Sequence, residues 1–333
     1  MTATIRPADW LGFMMSEYID GFVRDGGAAV KFAIPLDDAS GAATGDLRRQ
    51  AAERDYVVAH VDAGETRVDW MHELFFAIAR QVPWQEVADR AVLRLSRQLG
   101  YQAPPPGAEP LHQRISEANH LDADGFGPAL QPLLTESIFR DRTLARDFRV
   151  AMFQLCLGNL RSSASDEQRR AAMIAWLCGE VRTVGAVRPY QILSPINRTN
   201  ARYHLKSLLR FLRFVGFQGL IITISAARLA EARNPKDGLL FYGRSALLDF
   251  YESVRQFIDE TDRLEGCLLV IVPTPEFLDE DPRQRGMAAY QALQFRIYDE
   301  IRDAQYVNPM ASLVRLSAEA SPVPATRQAG AAR

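Results

Sequence analysis

Two runs, GLIITIS at 219–225 and GCLLVIV at 266–272, constrain this chain more than anything else in it. A strand with one face in water alternates apolar and polar residues. A strand that is apolar almost throughout is covered on both faces, which is the pattern of a parallel sheet wound with helices. VKFAI at 30–34 and YVVAHVD at 56–62 extend the pattern, and SLVRLS at 312–317 reads as a short fifth strand. Helical spacing falls between them. Residues 9–24 place Trp10, Phe13, Met14, Tyr18 and Phe22 on one helix face before Gly26-Gly27 ends it. Further helices are expected at 69–81 and 84–99, at 109–119, 129–140, 143–161, 166–181 and 198–215, and at 244–263 and 286–303. The order is β-α-β-α, a long stretch of helices only, then β-α-β-α-β, so an α/β fold with a parallel five-stranded sheet is expected. We read residues 1–82 and 216–318 as the α/β core, 83–215 as a large all-helical insertion, and 319–333 as a disordered tail.

Composition narrows the class. About half the residues are apolar, enough for a packed core, and the net charge of −2 gives no global basic field for bulk attraction of nucleic acid. Cys156, Cys178 and Cys267 are scattered through apolar sequence and read as buried thiols of a reducing compartment. The five histidines show no metal-ligand spacing, so no metal is expected. With no membrane-length apolar run, a cytoplasmic protein with no membrane association is expected.

In a wound sheet the ligand sits beyond the carboxyl ends of the strands. The first strand leads into LDDASGAATGDLRRQ, the strand–loop–helix layout of a nucleotide-binding P-loop. Such a loop carries G-x-x-x-x-G-K-[ST]: glycines let amides wrap the phosphates, the lysine neutralises them, and the hydroxyl holds Mg²⁺. Laid on residues 40–47, Gly45 matches the second glycine, but Ser40 replaces the first, with Gly41 and Thr44 between them. Asp46 stands in place of the lysine and Leu47 in place of the hydroxyl. A carboxylate there would repel a polyphosphate by roughly 1–4 kcal/mol. At the end of the third strand, where an acidic pair should orient Mg²⁺ and water, stand Ser225 and Ala226. Both halves of the Mg·ATP machinery are missing together. The expected fold is therefore a P-loop NTPase (AAA+-like) core with a degenerate cleft, formed by Ser40, Gly41, Thr44, Gly45, Asp62, Ser225 and Arg285. No catalytic residue and no cofactor is expected; ATP is the one candidate.

The runs EYIDGFVRDGGAAVKFAIP, RDFRVAMFQLCLGNL, RPYQILSPINRTNARYHLKSLLRFLRFVGFQGLIITIS and GMAAYQALQFRIYDEIRD resemble the BrxD-type ATP-binding proteins of BREX phage-defence systems, a P-loop (AAA+/STAND-like) group. The resemblance spans about residues 10–316. In active relatives a GYxGL lead-in to the third strand is followed by an Asp-Glu pair; here GFQGL is followed by neither acid. The resemblance implies one component of a multi-protein phage-defence system and does not restore the missing residues.

Three readings compete. The first is a pseudo-ATPase acting as a scaffold or adaptor for other defence-system proteins, with an oligomer possible. The second is a working NTPase with relocated groups: Asp37, Asp38 or Asp62 for metal and Arg285 for phosphate. The third is DNA binding through Arg202, Lys206, Arg210 and Arg213, which share one face of the 198–215 helix, although such rows are usually solvated faces. Asp62 has an ordinary alternative as a turn cap, and Arg283 and Arg285 have one as partners of the adjacent acids.

Overall fold

The apolar runs pair side by side. In the computed structural model, which describes residues 4–121, 125–160, 163–181, 183–298 and 308–320, five strands form one sheet: β1 (Ala28–Pro35), β2 (Tyr56–Asp62), β3 (Gly219–Ser225), β4 (Cys267–Val272) and β5 (Leu313–Leu316). Every pairing is parallel, and the order is β2-β3-β4-β1-β5. This parallel α/β architecture is consistent with a P-loop NTPase core.

Strand–helix–strand crossovers are right-handed, so the direction of travel along the sheet decides which face the connecting helix covers. From β1 the chain crosses past β4 and β3 to β2, then reverses for every later strand. The first crossing is made by α2 (Ala43–Ala52), and it packs on one face together with the N-terminal helix, α1 (Pro7–Phe13), and its π-helical continuation Met14–Phe22. Trp10, Met14, Ile19, Leu47 and Ala51 meet Ala33, Ile221, Leu268 and Val270 there. The opposite face carries the rest: α3 (Met71–Ala79), α4 (Trp84–Gln98), α5 (Leu111–Ala118), α6 (Phe126–Leu134), α7 (Arg146–Gly158), α8 (Ala164–Leu177), α9 (Ala201–Val215), α10 (Arg244–Asp259) and α11 (Gln291–Tyr298). Leu95, Leu130, Phe148, Trp176 and Phe211 share one continuous core with Val57, Leu220, Ile222 and Leu269. Successive residues of β3 thus divide between two cores, which is why the strand is apolar without alternation.

Between β2 and β3 the described residues contain helices and no strand. Arg90 of α4 ties this stretch to the sheet. Its guanidinium binds both oxygens of Asp55 just before β2 and lies 3.8 Å from the Phe217 ring just before β3. Two glycines allow β3 and β4 to start in contact. Gly219 has φ +151°, and a Cβ there would stand 2.1 Å from the Gly266 carbonyl oxygen, which accepts the Leu220 N–H at 2.8 Å. No other residue fits that approach.

Both sheet edges are occupied. At β2 the Gln81 side chain accepts the His60 N–H (2.9 Å) and donates to the His60 carbonyl (2.8 Å), imitating one residue of a further strand. At β5, Ile5 bridges to Leu316, accepting from Ser317 N–H and donating to the Arg315 carbonyl. The expected helix at 286–303 is a short 3-10 turn, Met287–Ala289, followed by α11; residues 299–303 lie outside the described residues, as does the expected tail from 321 onward. The three cysteines are buried. No helix among the described residues is long and apolar enough to cross a membrane.

Candidate functional site

β1 and β4 are neighbours whose outgoing connections leave to opposite faces, so the crevice at their carboxyl ends is where an open α/β sheet holds a ligand. On the β1 side only Leu36 and Asp37 separate the strand from a 3-10 turn, Asp38–Ala42, which runs straight into α2. Asp37 fills this turn. Its Oδ1 accepts the Ser40 N–H (2.9 Å) and the Ser40 hydroxyl (2.6 Å), and its Oδ2 accepts the Ala318 N–H (2.9 Å). These donors, the Ser40 hydroxyl foremost, hold the Asp37 carboxyl below the usual carboxylate range. Ser40 is buried, Gly41 is exposed, and Thr44 and Gly45 lie in the first turn of α2.

A phosphate chain requires a wide loop of free amides and a cation at the helix start. Here the helix begins before Gly45, so Gly45-Asp46-Leu47 lie inside α2 rather than at the mouth of a loop. Asp46 pairs with Arg49 at 3.1 Å on the exposed side, and Leu47 is wholly buried in the α2-side core. Lys31 lies within β1 with its Nζ 2.6 Å from the Met310 carbonyl. The residues of this turn do not fit a nucleoside triphosphate. Asp46, the position expected to repel phosphate, is held by Arg49 on the exposed side of α2.

Across β4 lies the second half of the expected cleft. Asp62 and Ser225 are register partners at the ends of β2 and β3. Asp62 caps its own turn, accepting the Gly64 N–H at 2.6 Å. Ser225 is half-buried and Ala226 buried, its N–H bound to the Val272 carbonyl at 2.9 Å. β4 separates Ser225 from β1, and β3 and β4 separate Asp62 from it, so they stand roughly 10 and 14 Å from the β1 turn at about 4.8 Å per strand. Arg285, from the segment after β4, donates to the carbonyls of Leu229 and Tyr242, each at 2.7 Å. Burial pulls its pKa down. With Ala226, Phe250, Tyr251, Ile271 and Phe277 it lines a recess of about 10 Å³, room for about one water.

Three groups that sequence reading passed over complete this edge. Arg228 is buried and binds both Asp237 oxygens, at 2.7 and 2.9 Å. Arg67 pairs with Asp69 at 2.8 Å. Tyr242, fully buried, donates to the Thr66 carbonyl and accepts the Val68 N–H. The only signal for the two arginines was their place in the loops after β2 and β3, and Tyr242 had none.

The basic row of α9 is already engaged. Arg202 and Lys206 reach Glu260 at 3.4 and 3.0 Å, Arg210 reaches Glu265 at 3.0 Å, and Arg213 donates to the Gln218 carbonyl at 2.8 Å. Burial alone would raise the Glu260 carboxyl, but Lys206 and Arg202 more than offset it and hold it below its ordinary value.

The family model for BREX system ATP-binding proteins BrxC/D matches residues 111–320, nearly two thirds of the chain. The chain belongs to the BrxC/D family. Neither a curated protein nor a solved structure matches it. The matched span covers β3, β4, β5 and the segments that leave them; β1, the Asp37 turn and α2 precede it. BREX membership makes the chain a component of a phage-defence family whose members work with other system proteins.

Proposed function

We propose that this BrxC/D protein is a non-hydrolysing member of its system, a scaffold or adaptor that keeps a P-loop-like core for assembly with partner proteins. One observation carries the reading: Asp37 caps the β1 turn with its own carboxylate, and the helix that should present a lysine to phosphate starts early and buries Leu47 instead. The loss of acids at Ser225-Ala226 supports it from the other side of the crevice. In this reading 83–215 is a helical insertion in a core of 1–82 and 216–318.

The competing reading, an NTPase with relocated groups, draws on Asp37, Asp38 or Asp62 for metal and on Arg285 for phosphate. Asp37, Asp62 and Arg285 are committed to neighbouring amides or carbonyls, and Asp38 is exposed on the 3-10 turn. DNA contact along Arg202, Lys206, Arg210 and Arg213 is supported by their common helix face and opposed by the acceptors they already hold. The test is equilibrium titration of the purified protein with Mg·ATP, alone and with partners captured from native cells, together with a hydrolysis assay. No turnover is expected. Micromolar binding accompanied by turnover would overturn the proposal.

A further inference from the structure

Residues 231–238 are mostly exposed and lead back over the sheet into Leu239–Tyr242. The carbonyls of these four successive residues are all taken by arginines. Arg228 donates to Leu239 (3.4 Å) and through Nε to Leu240 (2.5 Å), Arg67 to Phe241 (3.1 Å) and Arg285 to Tyr242 (2.7 Å). One arginine comes from the loop after each of β2, β3 and β4. The Leu240 N–H is bound to the Gly64 carbonyl at 2.8 Å, and the Asp237 Oδ1 accepts the Leu239 N–H at 3.1 Å.

A guanidinium cannot shed its proton, and when half-buried it must find acceptors. Arg67 and Arg228 each have a carboxylate, but Arg285 has none among the described residues. Arg285 rests on neutral carbonyls; burial disfavours its charge, while among its neighbours Tyr251 and Glu231 favour it and Arg244 opposes it. Carbonyl oxygens in series offer arginines what oxyanions offer, without the negative charge, so a charged ligand would satisfy this cluster better than the peptide does.

We propose that Leu239–Tyr242 is a built-in occupant of the carboxyl edge, a strap whose carbonyls hold Arg67, Arg228 and Arg285 and so close an oxyanion site formed by those three residues. The strap orders the edge without nucleotide. The proposal goes beyond the function read from the β1 turn and concerns a different set of groups.

The test loosens the strap while keeping its arginines. Asp237→Ala removes the exposed carboxylate that pins it, and a Gly-Ser-Gly-Ser insertion after Arg233 lengthens it without touching the core. Hydrogen exchange of 239–242 and calorimetric titration with inorganic tripolyphosphate are measured on the full chain, without Mg²⁺ or adenine. In the unaltered protein, slow exchange at Leu240 and weak tripolyphosphate binding are expected. Each loosened form should exchange faster there and bind tripolyphosphate about tenfold more tightly, as the open fraction rises. Adding Arg285→Gln, with an unchanged melting profile as the control for folding, should erase the gain. Loop-like exchange at 239–242 in the unaltered protein would remove the strap. Faster exchange in the loosened forms with no gain in binding, or a gain that survives Arg285→Gln, would remove the site. Because the ligand lacks adenine and metal, these outcomes are independent of whether the chain turns over Mg·ATP.

Discussion

Protonating His204 should destabilise the fold, because the helical core gives an imidazolium nowhere to go. The ring is 3% exposed and enclosed by the rings of Trp176, Phe75 and Phe148 at 5.4, 6.1 and 6.4 Å, and its Nδ1 has no hydrogen-bond partner among the described residues. Burial pulls its pKa from 6.5 down to about 4, with Asp147 opposing only in part. The unfolded chain therefore binds this proton more readily than the folded one. Stability is untouched above pH 6.5, falls as the pH drops from about 6.5 to 4, and is lowered by the full amount below that. That gap corresponds to about 3 kcal/mol at the acid limit, and to about 2 kcal/mol at pH 5.

His204→Leu removes the titration. The change in packing it causes is common to both pH values, and contributions from the other histidines are common to both proteins. Urea unfolding of both proteins at pH 7.5 and 5.0 isolates the effect. The variant should gain about 2 kcal/mol relative to the parent on going to pH 5. Profiles parallel to within about 0.5 kcal/mol would show that the ring reaches a proton acceptor or water, and would refute the argument.

Gly219→Ala should cost about 3–5 kcal/mol in urea unfolding, since its backbone conformation and the Gly266 carbonyl both exclude a Cβ; a loss below about 1 kcal/mol would mean the two strand starts can part cheaply. Asp46→Lys restores the P-loop lysine in sequence only. With its side chain on the exposed side of α2, it should shift stability by no more than about 0.5 kcal/mol and bring no Mg·ATP binding by calorimetry. Arg202→Ala combined with Lys206→Ala should leave a DNA mobility shift, measured at two salt concentrations, as weak as that of the parent. A steep salt dependence in the parent that flattens in the variant would reinstate phosphate contacts.

The sheet was legible because burial on both faces leaves strands with a simple mark: Gly219–Ser225 and Cys267–Val272 lie on the apolar runs to within a residue. The α2-side face was harder to assign, since which helix covers which face follows from strand order and not from local pattern. The β1 turn misled the template for a local reason. The donors to Asp37 lie three residues away and at Ala318, and the 3-10 turn it caps runs straight into a helix that already contains the glycine the motif would have used. The strap left almost no trace. Its partners are backbone carbonyls, which every residue has, so only the arginines could be seen, and they resembled ordinary surface charges. The α9 row was legible as a face, but its acceptors, Glu260 and Glu265, come from the segment beyond α10.

The Gln81 amide at His60 and the Ile5 bridge at Leu316 bear on how this protein can join others. An open parallel sheet offers incoming chains two templates for strand addition, and here a side chain blocks one and the N-terminal segment occupies the other. Fibre-like growth through the sheet is thereby discouraged at both ends. Recognition in a multi-protein assembly is left to side-chain surfaces on helices and loops, where the choice of partner is written residue by residue and not in a backbone ladder common to all proteins.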